Sequence, residues 1–168
     1  VNTLQGNNIN IYTAKVDYVL PIGKKFNFEA GAKTSFVNTD SKIDMSGYLV
    51  QNDHFKYEEN IQAAYLNGKA QFDKTTLQLG LRLENTVSEG TSVTNNQVND
   101  TSYVKIFPSF FVQQTLNKDN RINFKYSYRI GRPDYDMLNP LKWMIDPYTY
   151  NVGNPNLRPQ FTHSQGLS

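Results

Sequence analysis

The residues best suited to acid–base or metal chemistry are few and scattered. His54 and His163 are the only histidines among the 168 residues, and there is no cysteine. No group of carboxylates with ligand-like spacing surrounds either histidine in the sequence, whereas a metal site needs several converging ligands. The sequence therefore predicts no metal, no cofactor and no thiolate chemistry, and both histidines are interpreted as ordinary exposed side chains.

Three aspartates, Asp134, Asp136 and Asp146, could in principle form the paired carboxylates of a hydrolytic site. Each lies in a stretch rich in proline and glycine, where short acidic side chains usually stabilise turns by accepting hydrogen bonds from nearby backbone N–H groups. The sequence contains no nucleophile elbow, no phosphate-binding loop and no Ser/His/Asp set. We therefore expect no catalytic residue, and the chain is predicted not to be an enzyme.

Charged residues of both signs occupy alternate positions of several segments. They are Lys15, Asp17, Glu29, Lys33, Arg82, Glu84, Lys125 and Arg129. On β-strands this spacing would place them on one face of a sheet. If that face lines a lumen, they could form a substrate path or contact a plug, or they could simply neutralise one another along the wall. In a soluble protein the same residues would form a solvated surface that contributes little to stability.

Aromatic residues gather near segments without strand periodicity, and they are the best candidates for ligand contact. Tyr103, Trp143, Tyr148 and Tyr150 each combine an apolar ring with a polar tip, which suits sugars or siderophore-like ligands and also suits simple packing. The last three belong to the proline-rich segment (residues 133–159), which holds five of the seven prolines. Because proline fixes φ and removes a backbone donor, this segment cannot be a central strand or a helix interior. We expect a stiff loop of fixed turns.

The elements that would carry these side chains are β-strands, since apolar residues recur at every second position along most of the chain. Leu77, Leu79, Leu81 and Leu83 show the pattern most clearly. Six strands and the start of a seventh are predicted. Tight turns are expected at residues 21–25, 73–75 and 117–120, alternating with long polar loops at residues 38–60 and 88–102 and with the proline-rich segment. Pro108 lies inside the fifth predicted strand, where it predicts a bulge or bend.

Two architectures fit strands with one apolar and one polar face. A soluble β-sandwich or small barrel would bury the apolar faces, whereas a membrane barrel would turn them towards lipid. Long loops on one edge and tight turns on the other favour the membrane barrel, as do strands of about 10 to 14 residues and aromatics near the strand ends. The net charge of +2, without a basic run, disfavours a nucleic-acid partner.

The segment from Phe107 to Gln160 resembles the barrel of TonB-dependent receptors, in the outer-membrane β-barrel subfamily common in Bacteroidetes. The resemblance rests on "FPS" at 107–109, "YSYRIGRP" at 126–133, "LNP" at 138–140 and "DPYTYNVGNPNLRP" at 146–159. Residues 55–86 also look like the strand pair that precedes this region in the family. It implies an all-β antiparallel meander, residues 1–168 being part of a large transmembrane barrel whose plug domain and C-terminal strands lie outside the sequence.

Such a receptor resides in the bacterial outer membrane and takes up a substrate such as a siderophore, an oligosaccharide or a peptide. The resemblance implies membrane lipid, the receptor's own plug domain and, through the plug, TonB as partners. A soluble or cell-surface all-β binding module is the alternative that the residue pattern leaves open. An isolated slice of barrel could also associate through its unpaired strand edges.

Overall fold

Seven strands form one antiparallel sheet in the computed structural model, which describes residues 2–46, 51–94, 96–146 and 148–168. The strands of this sheet are β1 (Asn2–Ile22), β2 (Phe26–Ser46), β3 (Gln51–Gln71), β4 (Thr75–Ser92), β5 (Gln97–Thr115), β6 (Arg121–Gly131) and β9 (Gln160–Leu167). Each strand pairs with the next in this order. Between β6 and β9 lie a short helix, α1 (Tyr135–Leu138), and a small hairpin of β7 (Trp143–Asp146) and β8 (Thr149–Asn151).

The predicted meander and the three tight turns are confirmed. The turns join β1 to β2, β3 to β4 and β5 to β6, so all three lie at one end of the sheet. In the first turn Gly23 has a φ of 62°, a backbone conformation that glycine adopts without steric cost. No helix within the described residues is long and apolar enough to cross a membrane.

An exposed apolar band covers one face of the sheet next to the tight turns. We call this face the outward face; it carries the four leucines of β4 named above, and three of them, Leu79, Leu81 and Leu83, are about half exposed. Register places Leu66 opposite Leu81 and Phe28 opposite Gly68 on the same face. No second layer covers these side chains in the described structure, so the fold is a single-layer wall.

The prediction of long polar loops at residues 38–60 and 88–102 is wrong in detail, because most of the described residues in these two segments belong to strands. β2 continues to Ser46, β3 begins at Gln51, and β4 and β5 extend to Ser92 and from Gln97. With 18 to 21 residues, β1 to β4 are about twice as long as the 9 to 11 residues that a membrane crossing needs. Backbone ladder bonds form regardless of side-chain polarity, so a polar stretch can extend a hairpin as a tall ribbon.

Above the band, away from the tight turns, the apolar side chains change face. Ile43, Met45, Phe55 and Tyr57 lie on the inward face, opposite to the leucines, and all four are buried. The proline-rich segment covers them with Leu138 and Leu141, which are also buried, and with the partly buried Tyr135. This expected outer-edge loop therefore folds back onto the inner wall, where it builds a small hydrophobic core.

The ladder between β5 and β6 ends next to Pro108. Its last pair is Ser109 with Ser127, whereas the β4–β5 register runs through Leu81 and Pro108 without a shift. The bulge expected at Pro108 is therefore absent on the β4 side. Because proline has no N–H to donate, the strand ladder on the β6 side stops at this point. Beyond it, the ring of Tyr128 packs 5.5 Å from that of Phe107, which lies on the inward face.

Candidate functional site

The inward face carries the charged residues singled out from the sequence. Register places Lys15 opposite Lys33, Asp17 opposite Gly31 and Arg82 opposite Phe107. The predicted residues share this face in the sheet, namely Lys15, Asp17, Glu29, Lys33, Arg82, Glu84, Lys125 and Arg129. That the face lines a lumen remains a prediction.

Lys15, Asp17 and Tyr65 form one polar group near the middle of the wall. Nζ of Lys15 lies 2.8 Å from Oδ2 of Asp17, and the Tyr65 hydroxyl donates to Oδ1 of the same carboxylate. The Tyr65 ring lies over Gly31, where an added Cβ would come 2.3 Å from the ring. The glycine thus lets the tyrosine cross from β3 towards β1, and the three polar groups satisfy one another.

A second and more buried polar cluster lies where the wall meets the proline-rich segment. Arg132, just before the segment, donates from Nη2 to Oε1 of Glu84 and to Oγ1 of Thr86, the latter at 3.1 Å. Its Nε lies 3.6 Å from Oε1 of Glu59. Arg82 donates to the other oxygen of Glu84 from Nε at 3.0 Å and from Nη2 at 2.7 Å. Two buried carboxylates are thereby neutralised by two guanidinium groups.

Two tyrosines complete the hydrogen bonding of Glu59. The Tyr57 hydroxyl donates to Oε1 at 3.4 Å, and the Tyr135 hydroxyl donates to Oε2 at 3.3 Å. Burial, together with the negative charge of Glu59, raises the pKa of Tyr135 to about 12. Tyr135 therefore keeps its proton at neutral pH and serves as a donor. The cluster fixes the start of the segment to β3 and β4.

Glu59 and Arg132 were not among the residues singled out from the sequence. Glu59 lies in a stretch interpreted as loop, and Arg132 was noticed only as part of "YSYRIGRP". The arginine and its partner Glu84 are 48 residues apart, so no local spacing reveals the pair. The position of Arg132, directly before a proline at the end of a strand, could have indicated its role. The chain turns back there, so that the arginine side chain reaches the neighbouring strands.

Backbone hydrogen bonds around Gly153 fix the part of the proline-rich segment that leads back to β9. Its N–H donates to the carbonyl of Asn139 at 2.9 Å, and the next N–H, of Asn154, donates to the carbonyl of Met137 at 2.7 Å. A Cβ at Gly153 would lie 2.5 Å from both of these oxygens. The segment is therefore a folded unit, and about 30 Å³ of cavity remains between it and the wall, roughly the share of one water.

The aromatic hairpin of β7 and β8 projects from this unit. Tyr148 is 95% exposed, and Nζ of Lys142 lies 4.9 Å from the centre of the Tyr150 ring. Oδ1 of Asp146 accepts a hydrogen bond from the Tyr148 N–H at 2.7 Å, which lowers the pKa of the Asp146 carboxyl. This aspartate thus stabilises a turn. The side chain of Trp143 lies outside the described residues.

The remaining candidates are dispersed. Tyr103 packs edge-on to Phe161, with ring centres 6.4 Å apart, and so lies on the wall away from the hairpin tip. His54 lies 3.1 Å from Asp40, and Nδ1 of His163 lies 2.9 Å from the Tyr126 hydroxyl. No group of three or more potential metal ligands occurs in the described part of the chain.

A one-layer antiparallel wall with an exposed apolar band and a polar opposite face defines a section of a membrane β-barrel. All of residues 1–168 match the outer membrane protein beta-barrel family, and the chain belongs to this family. The protein is therefore located in the bacterial outer membrane. Family membership overrides the alternative of a soluble module.

A solved structure supports the same architecture. The chain is similar to the ferric citrate transporter FecA in its unliganded form, with a TM-score of 0.68 and 16% identity. The match covers 77% of this chain and 21% of FecA, so the chain spans about a fifth of that transporter. At this identity the likeness concerns the fold, a slice of a large barrel. No protein in the curated set matches the sequence.

Proposed function

We propose that the chain is a section of the barrel wall of a TonB-dependent receptor of the Bacteroidetes type. The observation that carries the proposal is the sheet itself, an open wall with an apolar outward face and a charged inward face, similar in fold to part of a transporter. The motifs from "FPS" to "GNPNLRP" support the same subfamily. In this proposal a plug domain precedes the barrel, and further strands pair with the outer edges of β1 and β9.

The proposed mechanism is non-catalytic. The aromatic hairpin and Tyr103 contact the ligand at the outer mouth, the charged inward face meets water and the plug, and TonB supplies energy for uptake. The proline-rich segment has a defined part in it, because its docking onto β2 and β3 would hold the hairpin over the mouth. A siderophore, an oligosaccharide or a peptide would each suit exposed tyrosines beside Lys142.

Uptake in the native bacterium tests this function. Labelled ferric siderophores, oligosaccharides and peptides are offered to the wild type, to a strain lacking the gene for this protein and to a strain lacking TonB. We expect one class of ligand to lose uptake to the same extent in both deletion strains and to regain it when the gene is restored. A protonophore should act like the TonB deletion. Uptake that needs the gene but survives both treatments would contradict the proposal.

A further inference from the structure

The outward face changes from apolar to polar along a defined row. On β1 the apolar run from the tight turn ends at Tyr12, on β2 at Phe36, on β3 at Ala64 and on β4 at Leu83. The next outward-facing residue on each strand is a carboxamide: Asn10, Asn38, Gln62 and Asn85. We call these four the amide row. Thr34 is the one polar residue within these runs, and Val87 the one apolar residue directly above the row.

Register arranges the four amides as two cross-strand pairs that are offset from each other. Asn10 lies opposite Asn38, and Gln62 lies opposite Asn85. Between β2 and β3 the row moves along the strands by four residues, since Gln62 faces Thr34 and Asn38 faces Glu58, and an offset in register is expected where strands tilt against the barrel axis. Because the apolar band spans the hydrocarbon layer, the row lies at the depth of the lipid headgroups on the side away from the tight turns.

Amides differ chemically from the residues at the opposite border of the band. The tight turns and the first residue after them carry Lys24, Lys25, Lys74, Lys118 and Arg121, which suit the phosphates of phospholipids. The amide row has no charged member, and the outward-facing residues further from the tight turns carry both signs, namely Asp40, Glu58 and Glu89 together with Lys42 and Lys56. The row therefore offers no fixed positive charge to a phosphate, whereas an amide can both donate to and accept from a hydroxyl.

The amides also retain hydrogen-bonding capacity. Nδ2 of Asn38 donates to Oε1 of Glu58 at 3.1 Å, so the side-chain carbonyl oxygen of Asn38 can still accept a hydrogen bond. Within the described residues, no side-chain hydrogen bond involves Asn10, Gln62 or Asn85. Three amides at headgroup depth are thus free to bond with groups outside the chain. We propose that the amide row is a contact surface for glycolipid headgroups of the outer leaflet, and that it recognises uncharged sugar hydroxyls.

Lipid retention by the full-length protein tests the proposal. The protein is extracted from its own outer membrane in mild detergent, and bound glycolipid and phospholipid per protein are quantified by mass spectrometry. In the triple variant Asn10→Leu, Gln62→Met and Asn85→Leu, we expect roughly tenfold less glycolipid and unchanged phospholipid, since each lost hydrogen bond contributes a factor of several. Gln78→Met, on the inward face, is the matched control and should retain both lipids.

Two further measurements distinguish binding to sugar hydroxyls from binding to phosphate. A wash at about 1 M salt, where charge interactions are screened within about 3 Å, should leave glycolipid bound. The variant Lys42→Gln with Lys56→Gln, which removes the two outward-facing lysines above the row, should do the same. Loss of glycolipid in either arm, or equal retention by the triple variant and the wild type, would overturn the proposal. Heat-dependent gel mobility reports barrel assembly. If the triple variant does not assemble, the single variants are measured, and retention at the wild-type level in all three would overturn the proposal.

Discussion

Arg132 lies 48 residues after Glu84 in the chain, yet its guanidinium donates directly to the Glu84 carboxylate. The contact closes the proline-rich segment onto β4, while Tyr135 closes it onto Glu59 of β3. Both carboxylates are buried, and Glu84 also binds Arg82 of its own strand. The cation next to Glu59 is Arg132, so the neutralisation of Glu59 depends on the segment being docked. Docking of the segment and neutralisation of the buried carboxylate therefore occur together. A substitution at Arg132 can for this reason test the position of the segment.

Replacing Arg132 by alanine should release the start of the segment. Glu84 would then keep Arg82, but Glu59 would lose its cationic neighbour, and removing one partner from a buried ion pair typically costs about 3–5 kcal/mol. We expect faster hydrogen exchange at the backbone amides of α1 and of the β7–β8 hairpin, with exchange in β1 to β4 unchanged. Arg129→Ala, on an exposed residue of the same strand end, is the control and should exchange like the wild type. Unchanged exchange in the Arg132 variant would show that the apolar contacts alone hold the segment.

Gly153→Ala should displace the part of the proline-rich segment that leads back to β9, without affecting the barrel. The new Cβ would lie 2.5 Å from the carbonyl oxygens of Asn139 and Met137, and backbone atoms held by hydrogen bonds cannot easily move away. Gly131→Ala is the matched control, because its Cβ would meet only the Gln160 carbonyl at 3.9 Å. Limited proteolysis with trypsin after the exposed Lys142, within the same segment, measures the displacement. We expect cleavage at least several times faster in the Gly153 variant, and equal rates for the two variants would refute the assignment.

Leu138→Ala should weaken the small core beneath the segment. Leu138 is 6% exposed and packs with the inward apolar residues of β2 and β3, and losing a buried leucine costs about 2–5 kcal/mol. Leu157→Ala, at a position that is 41% exposed, should cost far less. The difference should appear in the denaturant concentration at which the segment becomes susceptible to protease. Equal midpoints would mean that Leu138 is not part of a core.

The sequence allowed the strand order and the tight turns to be predicted, because period two and short Asn/Asp/Lys turns are local signals. It did not reveal how far the ribbons extend. Residues 38–60 were interpreted as loop owing to their polarity, although Val37, Ile43 and Phe55 lie in or beside them and face inward. Their alternation has the opposite phase to that of the band. The apolar side chains move to the other face of the strand at this point. When apolar residues are expected on one face only, such a switch is mistaken for a loss of strand periodicity.

The candidate site was predicted only in part. Alternation places Arg82 and Glu84 on one face, and proline content identifies a stiff segment. The segment's partners, however, lie 46 to 76 residues away. Such contacts depend on the sheet register and on the direction of the chain after Gly131. No local propensity encodes either quantity.

The orientation of the wall can be tested with a pair of lysines. Leu81→Lys would place a charge in the middle of the apolar band, where the cost is about 2–4 kcal/mol for a residue facing lipid. Gln78→Lys places the same side chain on the inward face, among Lys69 and other polar residues, where water would solvate it. We expect the Leu81 variant of the full-length protein to assemble poorly in the outer membrane, as measured by heat-dependent gel mobility, and the Gln78 variant to assemble normally. The reverse result would place the polar face against lipid, and equal assembly of both variants would mean that neither face contacts the hydrocarbon layer.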